Sequence, residues 1–383
     1  MHNDLLQRIK QRVEDLLYDD EERCAKQQFV INKSVRNEIL RILVSYSDQI
    51  PYPGSGNKTY ISSRSDSSSS FKFATNTNTD ADTDTDTDTE HNVGTLLRWQ
   101  ILAYVAGVDL TVAKWFESHL DALSILYELG YDQETKGLWA IWAAEGHPNP
   151  VRYKDGKVVG VKTWCSGANM IDYALMTYRD DQGHSQLITV DMKQRGIEVD
   201  NSAWQAVGMQ ATDTASVTFD QVEATQVGAA NAYLDRVGFW HGAAGVAACW
   251  YGATARLAQY LLDSYQHKPN DYKAMYLGEI STALSTVQNY LYSVADLIDA
   301  QTSHSHEQVI RQLRAQVELV ARQVLDTVGL ALGAAPFCSN AHFATLSADL
   351  TVFIRQSHAA FDLKRIGELA GESVKQGAIL WQL

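Results

Sequence analysis

The sequence predicts an α+β protein built in three parts: an N-terminal helical domain, a middle β-sandwich or barrel domain and a C-terminal four-helix bundle. Three observations predict it. Apolar residues recur at three- and four-residue steps over 1–50 and again over 94–130. Short β-rich runs separated by Gly, Asp and Asn fill the stretch from about 138 to 232. Beyond that, long segments carry single apolar stripes of bundle length. The expected boundaries are 1–137, 138–232 and 233–383.

In the first part, Leu5, Ile9, Val13, Leu16 and Leu17 mark the buried side of an opening helix. The pattern then stops at 51–92, where serine runs and alternating Thr-Asp offer too little apolar area to offset ordering entropy. This tract is expected to be a disordered surface insertion. It lacks the glycine and closing glutamate of an EF-hand calcium loop. Helical spacing returns at 94–130, with Asp109 and Thr111 placed to cap a helix. Ala113, Phe116, Leu120, Leu123, Leu126 and Leu129 form its stripe, and Gly130 is placed to end it.

The middle part reads as strands in "LWAIWAA", "VVGVKTW", "YALMTYR", "QLITVDM" and "ASVTFDQVEAT". Their spacing predicts antiparallel pairing in a small sandwich or barrel. The last part opens with a helix over 233–265, whose many small residues allow close approach by its neighbours. Helices over 271–301 and 305–333 follow, then a loop containing "GAAPFCSNAHFATLSADL" and a final helix over 351–371.

Composition bounds the function classes. The chain has 383 residues, 45% hydrophobic and 20% charged, with a net charge of −14. An acidic surface argues against nucleic-acid binding, which draws on basic side chains to release counterions. The four cysteines are far apart and form no C-x-x-C pair. Disulfides and a structural zinc are therefore not expected, and a reducing cytoplasm is. The N-terminus lacks the apolar core of a signal peptide, and no apolar run is long enough to span a bilayer.

Three stretches carry a likeness. They are "DLTVAKWFESHLDALSILYELG" (109–130), "GKVVGVKTWCSGANMIDYALMTYR" (156–179) and "WQAVGMQATDTASVTFDQVEAT" (204–225). In the third, Gly208, Met209, Thr212, Thr214 and Val222 follow the pattern that closes the family's β-domain. With the three-part order, they resemble the acyl-CoA dehydrogenase superfamily. The resemblance implies FAD bound between the β-domain and the bundle, in a homodimer or homotetramer. Trp164 would pack on the isoalloxazine and Ser166 would donate its hydroxyl to the N5 region, with Cys165 the third candidate cofactor contact. Cys165 is not read as reactive, because Lys162 is its only basic neighbour.

The chain departs from the family pattern in three places. "GLWAIWAAEGHPNP" (137–150) replaces a Thr-Glu-Pro run and a downstream Ser-Asp that bind flavin and pyrophosphate. "HKPNDYKAMYLGE" (267–279) stands where an Arg-x-x-Phe-Gly turn would reach the partner's FAD. FAD is accordingly expected to be weakly held, or replaced by reduced FMN or FAD. In "DLTVFIRQSHAAFDLKRIGE" (349–368), Ser357 and His358 occupy the place of the usual glutamate base. His358 would serve as the base in oxidation of an acyl thioester's Cα–Cβ bond. It equally resembles the histidine that faces reduced flavin in the monooxygenase branch. His358 also lies one turn from Asp362, where a plain i,i+4 pair would form.

Arg311 and Arg314 lie on the helix that meets the thioester ligand in relatives, so Arg314 is the candidate substrate contact; solvent-facing charge is the plainer reading. His241 reads as core or pocket, and His304 and His306 as a solvated helix start, since no third metal ligand is near. No metal is expected, and neither a nucleophile elbow nor a phosphate-binding P-loop is present. The partner is a small molecule such as an acyl-CoA, with no nucleic acid and no membrane. Three readings stand: thioester oxidation, reduced-flavin monooxygenation, and a non-catalytic binding subunit that keeps the fold.

Overall fold

The computed structural model describes residues 2–18, 31–55, 94–377 and 379–382. The acidic stretch 56–92 lies outside them, but 51–55 form an ordered turn. Pro51 is buried, and Gly54 N–H donates to Thr95 Oγ1 at 3.0 Å.

Helices α1 (His2–Leu17), α2 (Lys33–Val44), α3 (Gly94–Val108) and α4 (Leu110–Glu128) form the first helical layer. Asn32 and Asp109 cap α2 and α4, accepting from Val35 and Val112 N–H. Asp109 also takes Arg36 Nε at 2.8 Å, so one carboxylate ends a helix and fixes its neighbour. Leu5, Ile9, Val13 and Leu17 are buried as the stripe predicts.

Two four-stranded sheets stack face to face. One runs β1 (Trp139–Trp142), β4 (Tyr173–Arg179), β5 (Ser185–Asp191), β8 (Thr225–Val227), and the other runs β2 (Arg152–Lys154), β3 (Lys157–Cys165), β7 (Ala215–Glu223), β6 (Ile197–Asp200). Their inner faces meet at Val158, Met176, Ile188, Val217 and Phe219. The pairing is not wholly antiparallel as expected, because β1 runs parallel to β4. Helix α4 covers the outer face of the first sheet through Ala122, Ile125 and Leu126 against Trp139, Leu175 and Leu187. His119 bridges the layers. Its Nδ1 accepts Trp139 N–H, so Nε2 carries the proton toward Ser47 Oγ at 3.0 Å. Burial lowers its pKa to about 3, which keeps the ring neutral.

The C-terminal part is a bundle of α5 (Gly238–His267), α6 (Asp271–Ala300), α7 (Glu307–Leu332), α8 (Ala341–Phe353) and α9 (Ala360–Lys375). The predicted loop around 341–350 is helical, because Asn340 caps α8 through Phe343 N–H. The predicted final helix is broken. A 3-10 turn spans Ile354–Gln356, Ser357 is extended at ψ 134, and Ala359 has φ 35. The Ser357 hydroxyl accepts Ala359 N–H at 3.2 Å and so holds the chain in a non-helical bend. The apolar residues on either side, Phe353 and Phe361, hide this interruption from the spacing pattern.

Candidate functional site

Strand β3 ends abnormally. Its pairing with β7 slips between Lys162 and Cys165, and the residue extruded at the slip is Trp164, at φ 62. A bulky residue in the left-handed region persists only where its surroundings fix it, and such positions gather at functional sites. The indole is 61% exposed and meets Trp204 edge to face at 6.2 Å. Val207, 85% exposed, stands on the same 204–209 segment. A large apolar face thus sits open at the end of a rigid strand.

The neighbours of Trp164 point elsewhere. Lys162 turns inward and donates to Thr177 O and Oγ1, and burial lowers its pKa to about 8. Cys165 is fully buried in the sandwich with its thiol on Lys162 O at 3.3 Å, and burial raises its pKa. It faces the sheet interior, away from the exposed Trp164 face. Trp142 is also buried, donating its Nε1 to Ser166 O at 3.3 Å.

Ser166 starts a relay of hydroxyls that sequence reasoning did not find. Its Oγ lies 2.9 Å from Thr214 Oγ1, which lies 2.9 Å from Thr212 Oγ1, which donates to Met209 O at 2.7 Å. The last bond sets the direction of the rest. Thr212 spends its proton on a carbonyl, so Thr214 donates to Thr212 and Ser166 donates to Thr214. Ser166 therefore keeps its lone pairs for an outside partner and acts there as an acceptor, not as the donor the family resemblance implies.

Two outside elements hold this relay. Trp115 of α4 donates to Thr212 O at 3.2 Å and packs on Gly167, whose N–H donates to the same carbonyl at 3.0 Å. From the bundle, Asp349 of α8 accepts Met209 N–H. Gly208 lies so close to α8 that a Cβ built there would stand 2.0 Å from Ala348 O. Helix α8 thus braces the strip carrying Thr212 and Thr214.

Burial raises the Asp349 pKa to about 6, with Asp109 acting in the same direction and Arg36 and the Met209 N–H against it. Folded protein then holds a proton that unfolded chain has lost between about pH 4 and 6, so this group's contribution falls as pH rises through that window. Asp349→Asn keeps the acceptor oxygen and removes the charge. We expect the variant to gain stability relative to wild type from pH 4 to 7, by up to roughly 3 kcal/mol, and to hold that gain above pH 7. Urea melts across that range check it, and a pH-independent difference would refute it.

The other predicted residues lie apart. His358 is exposed in the 354–359 break, and no hydrogen bond or ring contact joins Ser357 or His358 to the 164–166 turn among the described residues. Asp362 pairs with Arg311 and not with His358. Arg311 also stacks on Trp240 at 4.1 Å. Arg314 is buried inside the bundle, donating to Ala243 O and lying over Trp250 at 4.8 Å. Burial lowers its pKa to about 10. Among the described residues, no three His, Cys, Asp or Glu side chains are grouped to hold a metal, and no helix is long and apolar enough to cross a membrane.

No protein-family model matches this sequence, and no curated protein does. Solved structures match it in fold. Butyryl-CoA dehydrogenase from Megasphaera elsdenii superposes with a TM-score of 0.70 at 14% identity, covering 96% of this chain and 97% of that one. TdsC from a Paenibacillus species, in complex with FMN and indole, gives 0.69 at 15% identity over 96% of both chains. A nitrososynthase from Micromonospora carbonacea gives 0.60 at 16% identity, covering 72% of this chain and 82% of that one. The chain has the acyl-CoA dehydrogenase fold.

Proposed function

We propose that the protein is a flavin-dependent oxidoreductase that takes up its flavin in the reduced state and uses it to oxygenate a small molecule. The residues present suit a flavin ring. Trp164 offers an exposed indole face, and Ser166 offers a hydroxyl at its edge. When bound, a reduced flavin supplies two electrons and the means to activate dioxygen. The fold is one on which an FMN complex is known, that of TdsC with indole.

The observation that carries the choice of redox state is the direction of the hydroxyl relay. Ser166 is held as an acceptor by the Ser166–Thr214–Thr212 sequence of donors. The reduced ring carries a proton on N5 and the oxidised ring does not, so an acceptor at this edge matches the reduced form.

Thioester oxidation finds less support. Arg314, the candidate ligand contact, is committed to Ala243 O and Trp250. Asp362, a buried carboxylate four residues on from His358, is paired with Arg311. The loop after β1 supplies Ala143, Ala144 and Glu145, and Glu145 pairs with Arg179 at 2.9 Å, which sets a carboxylate against that guanidinium where a pyrophosphate would need a free cation. A flavin that exchanges with solution suits such a site. His358, exposed in the break before α9, is accessible to a substrate.

The test is an anaerobic titration of the protein with FMN and FAD in each redox state. We expect at least one reduced flavin to bind about 10-fold more tightly than its oxidised form. Thr214→Val, which frees the Ser166 proton to point outward, should narrow that ratio. Equal binding of both states would overturn the assignment of redox state, and no flavin binding at all would favour a non-catalytic role.

A further inference from the structure

A cavity of about 150 Å³ lies between the 52–54 turn, the last two turns of α4, the start of α5 and the loop after α6. None of the residues expected to hold a flavin or a base lines it. A void of this size takes a single six-membered ring.

Its walls define what it accepts. Tyr52 and Tyr127 pack with ring centroids 4.3 Å apart and their planes tilted by 35°. Asp121 and Glu128, from the same helix as Tyr127, and Arg236 also line the cavity. Arg236 is paired with Glu128 at 2.9 Å and reaches Asp121 only at 3.7 Å. Glu128 also takes Gly238 N–H at 2.9 Å. Glu128 is therefore satisfied, while Asp121, with its side chain 14% exposed, receives no hydrogen bond from the described residues. The lining carries two carboxylates and one guanidinium, with the buried guanidinium of Arg98 acting on Asp121 from outside the cavity.

His241 supplies an independent signal. The residue is 2% exposed, and its Nε2 lies 2.9 Å from His304 O. A carbonyl only accepts, so Nε2 bears the proton and Nδ1 presents a lone pair. Burial lowers the His241 pKa to about 4, and the ring is neutral at pH 7. Nδ1 has no hydrogen-bond partner among the described residues and faces the 52–54 turn, where a Cβ built on Gly54 would stand 3.7 Å from it. A buried imidazole nitrogen and an underused carboxylate thus look into one ring-sized space beside two aromatic faces.

The geometry points to a binding site for a small organic ammonium ion with a flat apolar body. Its N–H groups would satisfy Asp121 and His241 Nδ1, and its body would lie against Tyr52 and Tyr127. The site goes beyond the proposed flavin chemistry, because ammonium binding needs no flavin and is measured on the protein alone.

The probe is benzylamine, protonated at pH 7, followed by titration calorimetry beside benzyl alcohol and benzoate. We expect saturable 1:1 binding of benzylamine, at least about 10-fold weaker binding of the alcohol, and none of benzoate. Asp121→Asn should weaken benzylamine by about 10-fold or more. Since Asp121 also neighbours Arg236, a second variant guards against misfolding. Thr302→Trp, at an exposed lining position, should abolish binding with an unchanged melting temperature. Amine and alcohol binding equally, no saturation by about 10 mM, or full binding in the folded Thr302→Trp variant would each overturn the assignment.

Discussion

Trp164→Ala is expected to lower the affinity for reduced flavin by about 30- to 150-fold, with the melting temperature unchanged. The estimate follows from area. An indole 61% exposed leaves roughly 100 Å² or more of apolar surface for a ring to cover, worth about 2–3 kcal/mol at about 25 cal/mol per Å². Most of that surface faces solvent, and among the described residues the ring contact it makes is edge to face with Trp204. Alanine keeps the same φ 62 as the tryptophan, so the backbone strain is common to both proteins. Anaerobic titration and a thermal melt of the same preparation separate the two effects. A variant that binds flavin as wild type does would show that Trp164 is merely an exposed strand end. A variant that loses stability with affinity would show that the indole supports the fold.

How much of this was legible in the sequence depends on how far apart the cooperating residues lie. The stripes of α1 and α4 and the β-rich runs of β3 to β5 are local, and the structure follows them through Ile9, Phe116 and Met176. Asp109 and Gly130 were legible as helix ends for the same reason. Trp164 and Ser166 stood out as an odd strand terminus within three residues. The relay behind Ser166 did not, because Thr214 is 48 residues away and its role exists only once β3 and β7 pair. Arg314 reads as surface charge on a helix, but Trp250 and the Ala243 carbonyl draw it inside. The break before α9 was invisible for another reason. Apolar spacing continues across it, and a single hydroxyl at Ser357 turns the backbone. The cavity draws on four separate segments, and no one of them carries a pattern.

The small residues of α5 were legible as a packing signal, and they lead to the second large effect. Gly252→Ala is expected to destabilise the protein by at least about 3 kcal/mol, or to prevent folding. A Cβ built at Gly252 would stand 2.0 Å from Ala103 O and 2.5 Å from Ala103 C. Those atoms are backbone of α3, so no side chain can swing aside. Relief requires α3 and α5 to separate, and their contact carries Ile101, Leu102, Ala248 and Trp250 in the main core. Overpacking of this kind is a large share of a total stability of about 5–15 kcal/mol. Gly278→Ala, on the exposed face of α6, meets nothing within 4 Å. There the same methyl should stabilise by about 0.5–1 kcal/mol, because it removes backbone freedom from the unfolded chain and improves helix propensity. Urea denaturation of the two variants beside wild type tests the pair. If Gly252→Ala unfolds within about 1 kcal/mol of wild type, then α3 and α5 do not cross at backbone distance.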